Sequence, residues 1–479
     1  MKKKQIITYI LIILTSLALG FLIYLSTMFY AASFEQILYS IQNFEGTTFN
    51  AMEVGIIYTT LFTICFLVLF FLVDKILKKK FNINISLLCS LILLVMSISL
   101  LGLKTGVFKF IYNKSVTTDI YEEYYVSADD VEITFPENKR NLIYIYLESV
   151  ESTSLSIDNG GTAQVSYMPN LEDLALDNLN FSNTDKIGGA LQVDGTTWTA
   201  AAMVAQTSGI PLTVVGIITN PYKDETNFLP GVVTLGDILY EQGYHNYLML
   251  GSDATFGGRK YYFNLHGNYE IFDYYTAINE NKIDEDYFEW WGYEDEKLFA
   301  YSKERLLEIA SNNEPFNYTM LTADTHFTDG YLESDCELKF DTNYANSFYC
   351  SDNRIGEFIN WIKEQDFYDN TTIIITGDHL TMQSNFYDLP NDYNRTVYNV
   401  VINSNVSTVN NKNRIFTTMD MYPTTLASLG VNIEGNRLGL GTNLFSDTKT
   451  LAEELSIEVL NKEISKKSNY YNKKLLKLN

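Results

Sequence analysis

Three long apolar runs near the N-terminus, about Ile6 to Tyr30, Val54 to Val73 and Ile85 to Leu103, constrain this chain more than any other feature of it. Each approaches the roughly 20 residues a helix needs to cross a bilayer. They predict an all-α module of three transmembrane helices over residues 1–104. The first run also admits a reading as a signal peptide, with Lys2, Lys3 and Lys4 as its charged start and Ala31-Ala32-Ser33 as its cleavage site. Lys2 to Lys4 and the cluster Lys75, Lys78, Lys79 and Lys80 should face the cytoplasm, whereas the stretch Ala32 to Glu53 has no Lys or Arg. Everything after Leu103 is then expected on the extracytoplasmic side, whether or not the first run is cleaved.

The remainder is long enough for a sizeable core, since 46% of the 479 residues are hydrophobic and 14% aromatic. A formal charge of -24, from 58 acidic against 34 basic residues, argues against a nucleic-acid partner, which needs a concentrated positive surface. Cys65 and Cys89 lie in apolar runs. Cys336 and Cys350 lie in polar sequence and form the one pair suited to a disulfide, with free thiols as the alternative. Residues 105–140 read as a linker, 141–446 as a catalytic domain, and the Lys-rich 447–479 as a solvated C-terminal tail.

Beyond the linker, short β-rich runs alternate with helical stretches, the pattern of an α/β domain with a mostly parallel central sheet. Asn141 to Leu147, Tyr318 to Thr322 and Thr371 to Thr376 are continuous and apolar, as strands buried on both faces should be. Polar residues follow each at once, and ligand sites form at the carboxyl ends of such strands. Alone, Glu148 would be a loop acid or a helix cap, and Gly377-Asp378-His379 a turn. Together they offer oxygen and imidazole ligands for manganese, magnesium or zinc. Asp194 to Thr199 reads as a tight loop entering an Ala-rich helix, which places a hydroxyl at a helix start; alone it would be an ordinary N-cap threonine, but beside a metal it is suited to nucleophilic attack on phosphorus. Two of only four histidines, His326 and His379, fall just past predicted strands.

Leu147-Glu148-Ser149, Met168-Pro169-Asn170-Leu171, Gly195-Thr196-Thr197-Trp198-Thr199, Asp324-Thr325-His326, Asp378-His379-Leu380 and Asp420-Met421-Tyr422-Pro423 occur in that order. This set resembles the phosphoglycerol transferases related to lipoteichoic acid synthase, which have a sulfatase or alkaline-phosphatase-like fold. The resemblance is closest to the branch that adds phosphoglycerol to glycans, and it runs from Asn141 to Ser446, including Arg437-Leu438-Gly439-Leu440-Gly441. It implies Thr199 as nucleophile, and Glu148, Asp378 and His379 as ligands of a manganese or magnesium ion that also contacts Thr199. It further implies His326 at the transferred phosphate or leaving group, and Arg259 in the substrate pocket.

The implied donor is phosphatidylglycerol, and the implied acceptor a glycan or glycolipid of the cell envelope. Leu250 and Gly257 stand where lipoteichoic acid synthases have a histidine and a tryptophan, which leaves the acceptor open. A phosphoethanolamine transferase of the same fold is the alternative, though such enzymes usually carry more spans and several disulfides. A phosphodiesterase or sulfatase-type hydrolase is another. Sulfatase activity needs a C/S-x-P-x-R arrangement, and none of the four cysteines has that setting.

Overall fold

The computed structural model describes residues 2–28, 33–47, 49–81, 87–408 and 410–478, so the cleavage site read at Ala31-Ala32 lies outside the described residues. The chain divides into two compact units. The first comprises Met1–Ile37, Thr47–Tyr112 and Met382–Asn385; the second comprises Leu38–Gly46, Asn113–Thr381 and Phe386–Asn479.

Four helices begin the chain: α1 (Lys2–Met28), α2 (Phe34–Gln42), α3 (Phe49–Phe81) and α4 (Leu87–Thr105). Stretches of α1, α3 and α4 are long and apolar enough to cross a membrane. α1 packs against both α3 and α4. Small residues allow the close approach, because a Cβ on Gly20 would stand 2.6 Å from Thr63 Oγ1. Thr15 and Thr63 satisfy their hydroxyls on carbonyls one turn back, those of Leu11 and Thr59.

The second unit is built on seven strands: β1 (Asn141–Leu147), β2 (Gly189–Ala190), β3 (His245–Leu250), β4 (Glu270–Phe272), β5 (Phe316–Leu321), β6 (Thr371–Gly377) and β7 (Val397–Ile402). Their order is β2-β7-β6-β1-β5-β3-β4. β6, β1, β5, β3 and β4 run parallel, while β7 and β2 pair antiparallel at one edge. Alternate residues feed opposite faces. Ile143, Ile145 and Leu147 join Ile373 and Ile375 in a core with Leu171 of α5 (Pro169–Asp177), Leu298 of α7 (Asp295–Ala310) and Ile359 of α8 (Asn343–Lys363). On the other face, the Tyr144 hydroxyl reaches Gln206 of α6 (Thr199–Ser208). All seven residues of β1 are buried, and each large apolar side chain contributes on the order of 1.5–3 kcal/mol.

Two stretches read as linker and tail are folded. Within 105–140, Thr117–Thr118 pairs in parallel with Lys467–Ser468, and Ile133–Thr134 pairs antiparallel with Asn432–Ile433. Within 447–479, helices cover Leu451–Leu455 and Ile457–Ile464, and Leu460, Ile464, Tyr471 and Leu475 are buried. Lysine is the commonest residue there, but these interleaved apolar residues decide the packing.

Candidate active site

Sheet register brings the first two acids together. β1 and β6 are neighbours with Leu147 opposite Gly377, so Glu148 and Asp378 leave the sheet side by side. Gly377 admits no side chain, since a Cβ would stand 1.9 Å from the Val150 carbonyl oxygen. The Asp378 N–H donates to the Leu147 carbonyl (3.0 Å). Asp378 Oδ1 accepts from the N–H groups of Ser149 (2.8 Å) and His379 (2.6 Å). Ser149 is held at φ 59°, a left-handed conformation that a non-glycine residue rarely adopts and that tends to collect at functional sites.

α6 delivers the hydroxyl. Thr199 is its first residue, after the extended Trp198, so Oγ1 sits at the positive end of the helix dipole. It lies 3.2 Å from Glu148 Oε2 and 3.4 Å from His379 Nε2. His379 Nε2 is also 3.5 Å from Glu148 Oε1 and 3.4 Å from Asp378 Oδ2. His379 Nδ1 meets the Leu380 carbonyl at 3.0 Å. A carbonyl only accepts, so that nitrogen carries a proton, and in the neutral imidazole Nε2 keeps its lone pair for the site.

This group fits a divalent cation. Ligand atoms of Glu148, Asp378 and His379 all lie within 4.8 Å of one another, and all three residues are buried. Asp378 Oδ2 is buried with no hydrogen-bond partner among the described residues, an arrangement that costs free energy unless a cation or proton compensates it. Burial and the Glu148 carboxylate accordingly push Asp378 up to about 7. Burial alone would lower His379, but the Asp378 and Glu148 carboxylates raise it. Glu333, Cys336 and Cys350 also cluster, but these cysteines form a disulfide and offer no thiolate.

The remaining predicted residues sit around this centre. Arg259 is buried; its Nε donates to the Phe256 carbonyl (3.0 Å), and its Nη2 to Ser252 Oγ (3.1 Å) and the Asp253 carbonyl (2.7 Å). Burial lowers the guanidinium to about 10, against the pull of Asp253, Glu148, Asp273 and Asp378, so it stays charged at neutral pH. His326 Nδ1 is bound to the Phe327 carbonyl (2.5 Å), which leaves Nε2 as an acceptor. Burial drives this imidazole down to about 4, so it is neutral where a free histidine would begin to charge.

Asp324, in the same motif, is architectural. It accepts from the Asp295 N–H (3.2 Å), while Asp295 accepts from the N–H groups of Ala323 (2.8 Å) and Asp324 (3.1 Å). Thr325 donates to the Glu148 carbonyl. The run that presents His326 thereby also supports Glu148. Leu250 is buried at the end of β3, and Gly257 lies against Ala200 of α6.

Sequence reading missed an aromatic wall. The Trp291 ring lies 4.7 Å from His326 and stacks on Phe256 at 5.6 Å, and Phe256 also carries the Arg259 guanidinium at 5.6 Å. The adjacent pair Trp290-Trp291 was the available signal, in a chain with only four tryptophans.

A mostly parallel sheet whose strand ends gather two acids and an imidazole beside a helix-borne threonine defines an alkaline-phosphatase-like domain, here in a membrane protein. The sulfatase family pattern matches residues 140–431, and the chain belongs to that family. Phosphoglycerol transferase I of Citrobacter koseri is 32% identical over 322 residues, 65% of this chain and 40% of that protein. The Escherichia fergusonii phosphoglycerol transferase I is 31% identical over 342 residues, 70% of this chain and 42% of its own. The chain therefore spans about two fifths of the length of the curated relatives it matches.

Among solved structures, a lipoteichoic acid synthase from Listeria monocytogenes aligns with TM-score 0.51 and 19% identity over 68% of this chain and 80% of that one. The lipooligosaccharide phosphoethanolamine transferase A of Neisseria meningitidis aligns with TM-score 0.50 and 14% identity over 88% and 84%. These two share the fold.

Proposed function

We propose that the chain transfers phosphoglycerol from phosphatidylglycerol, through a covalent glycerophosphoryl-threonine at Thr199, to an envelope glycan or glycolipid. The observation that carries this reading is the placement of Thr199 Oγ1 at a helix start, 3.2 Å from Glu148 Oε2 and 3.4 Å from His379 Nε2. Similarity to phosphoglycerol transferase I supports the donor. Glu148, Asp378, His379 and Thr199 would hold a divalent cation, manganese first and magnesium or zinc otherwise. Such an ion supplies charge neutralisation at the phosphodiester and a lower pKa for the hydroxyl it touches.

The protein's own groups divide the rest of the work. Thr199 Oγ1 attacks phosphorus, its proton passes to Glu148 Oε2, and the bond from phosphorus to the diacylglycerol oxygen breaks, with that oxygen taking a proton from water. Arg259 holds positive charge near the phosphate oxygens. In the second half-reaction an acceptor hydroxyl attacks the same phosphorus from the vacated side and gives its proton to neutral His326 Nε2, which releases it to solvent and so replaces the proton that water gave to the diacylglycerol oxygen. The phosphorus bond to Thr199 breaks, and the proton on Glu148 returns to Oγ1. The lysine clusters of the membrane helices and the Cys336–Cys350 disulfide support an extracytoplasmic location for this chemistry.

Mass spectrometry of the full chain after incubation with manganese and phosphatidylglycerol tests the reading. A glycerophosphate adduct on Thr199, absent from Thr199→Ala, is expected. No adduct and no diacylglycerol release would overturn the donor, and an adduct with phosphatidylethanolamine instead would point to phosphoethanolamine transfer.

A further inference from the structure

The segment Leu38–Gly46, which follows the first apolar helix in sequence, belongs to the second unit. In the sequence it is only a loop between two spans. In the structure it is bonded to the second unit along its length. Gln42 Nε2 donates to the carbonyls of Gly216 and Ile217 (both 2.9 Å), and Asn220 Nδ2 donates to the Gln42 carbonyl and to Asn43 Oδ1 (both 2.9 Å). The Tyr261 hydroxyl donates to Glu45 Oε2 (2.9 Å). Gly46, at φ 73°, packs so closely that a Cβ would stand 2.6 Å from the Phe256 nitrogen.

Tyr39 lies at the centre of this contact, 1% exposed. Its ring is 5.2 Å from that of Trp198 and 5.9 Å from that of Tyr222, and its hydroxyl donates to the Gly257 carbonyl (2.8 Å). Trp198 is the residue that sets the start of α6 and so the direction of Thr199. Its indole N–H is buried without a hydrogen bond among the described residues, so packing alone fixes the ring. Gly257 and Gly258 are both left-handed, at φ 66° and 74°, a turn that costs a glycine pair little to leave. That turn lies against Ala200 and leads into Arg259. One side chain thus touches the residue before the hydroxyl and the turn before the arginine.

We infer that Tyr39 is a positioning residue for the reaction, clamping Trp198 and the Gly257 turn so that Thr199 and Arg259 hold their relative places. The segment between the first two apolar helices is then part of the active structure as well as a connection. The inference rests on the reading above in taking Thr199 as the reacting group. Misplacing a reacting group by about 1 Å costs about 100-fold in rate, whereas Tyr39, 1% exposed, offers a substrate almost no surface of its own.

The test uses the full chain in detergent micelles. Tyr39→Ala should lower kcat for diacylglycerol release by about 100-fold while KM moves less than about threefold. Tyr39→Phe, which keeps the ring and loses only the bond to Gly257, should fall between this variant and wild type. Hydrogen exchange needs no substrate. In Tyr39→Ala the amides of residues 196–202 and 255–259 should exchange faster, with those of Asn141–Leu147 unchanged. A kcat within twofold of wild type in Tyr39→Ala, or unchanged exchange at both segments, would overturn the inference. If wild type turns over neither phosphatidylglycerol nor phosphatidylethanolamine, the proposed function fails and the exchange result alone decides this one.

Discussion

Gln206 Nε2 donates a 3.1 Å hydrogen bond to the carbonyl of Gly377, tying the helix that bears Thr199 to the strand end that bears Asp378. Gln206 is fully buried, and its Oε1 accepts from the Tyr144 hydroxyl at 2.8 Å. Gln206→Leu keeps the volume and removes both bonds. Thr376 still donates to the Gly377 carbonyl, so the cost centres on Tyr144 and should be about 1–3 kcal/mol. Thermal unfolding of the variant should show that loss, and its kcat should fall more than its KM changes. An unchanged kcat with the stability loss present would show that the tie is structural only.

Metal dependence has a stability signature separate from activity. An ion that binds only the folded chain adds about 2.7 kcal/mol at a concentration 100 times its dissociation constant. Manganese added to EDTA-treated protein should therefore raise the unfolding temperature. Asp378→Asn should abolish most of that rise by weakening the ligand whose Oδ2 has no hydrogen-bond partner among the described residues. Thr199→Ala should retain it, because the three side chains with mutually close ligand atoms remain. An equal rise in Asp378→Asn and wild type would place the ion elsewhere.

His326 sets a pH expectation opposite to the usual one. Its folded value is lowered to about 4 by burial, against about 6.5 for an unfolded histidine. The unfolded state therefore takes up the proton first as pH falls, and stability is lost between about 6.5 and 4. His326→Asn should flatten this part of the stability profile. Activity should show no loss attributable to His326 between pH 7 and pH 5, and an acidic limb near 6.5 that disappears in His326→Asn would contradict the buried, neutral imidazole.

The strands were legible because burial on both faces leaves continuous apolar runs such as Asn141 to Leu147, and the polar residues after them were legible by position. Motif order alone did not separate chemistry from architecture. Asp420 caps its own turn by accepting from the Thr417 N–H (2.7 Å) and binds the Thr442 N–H (2.8 Å), and Asn170 and Leu171 donate to Asp352. These motif residues hold the scaffold. Tyr39 carries no sequence signal toward the site, because contacts across about 160 residues, as between Tyr39 and Trp198, exist only once the chain has folded. The C-terminal stretch reads as solvated because its scattered lysines mask a few well-spaced apolar anchors, Leu460, Ile464, Tyr471 and Leu475.

Cys336 and Cys350 are joined, with a sequence separation of 14 and Cα atoms 5.6 Å apart. The bridge ties the stretch just after His326 to α8, whose Arg354 Nε donates to Glu333 Oε2 at 2.8 Å. Closing a loop of this length stabilises by about 3 kcal/mol in the loop-entropy model. Cys336→Ser/Cys350→Ser should lower the unfolding temperature accordingly, and dithiothreitol should do the same to wild type while leaving the double variant unaffected. Because Arg354 keeps both the buried Glu333 and the exposed Asp335 in the double variant, the loop after His326 should stay docked at low salt and loosen as salt screens the exposed pair. Limited proteolysis between residues 328 and 341 at rising ionic strength measures this. Cleavage that is independent of salt in the reduced protein would show that the bridge alone holds the loop.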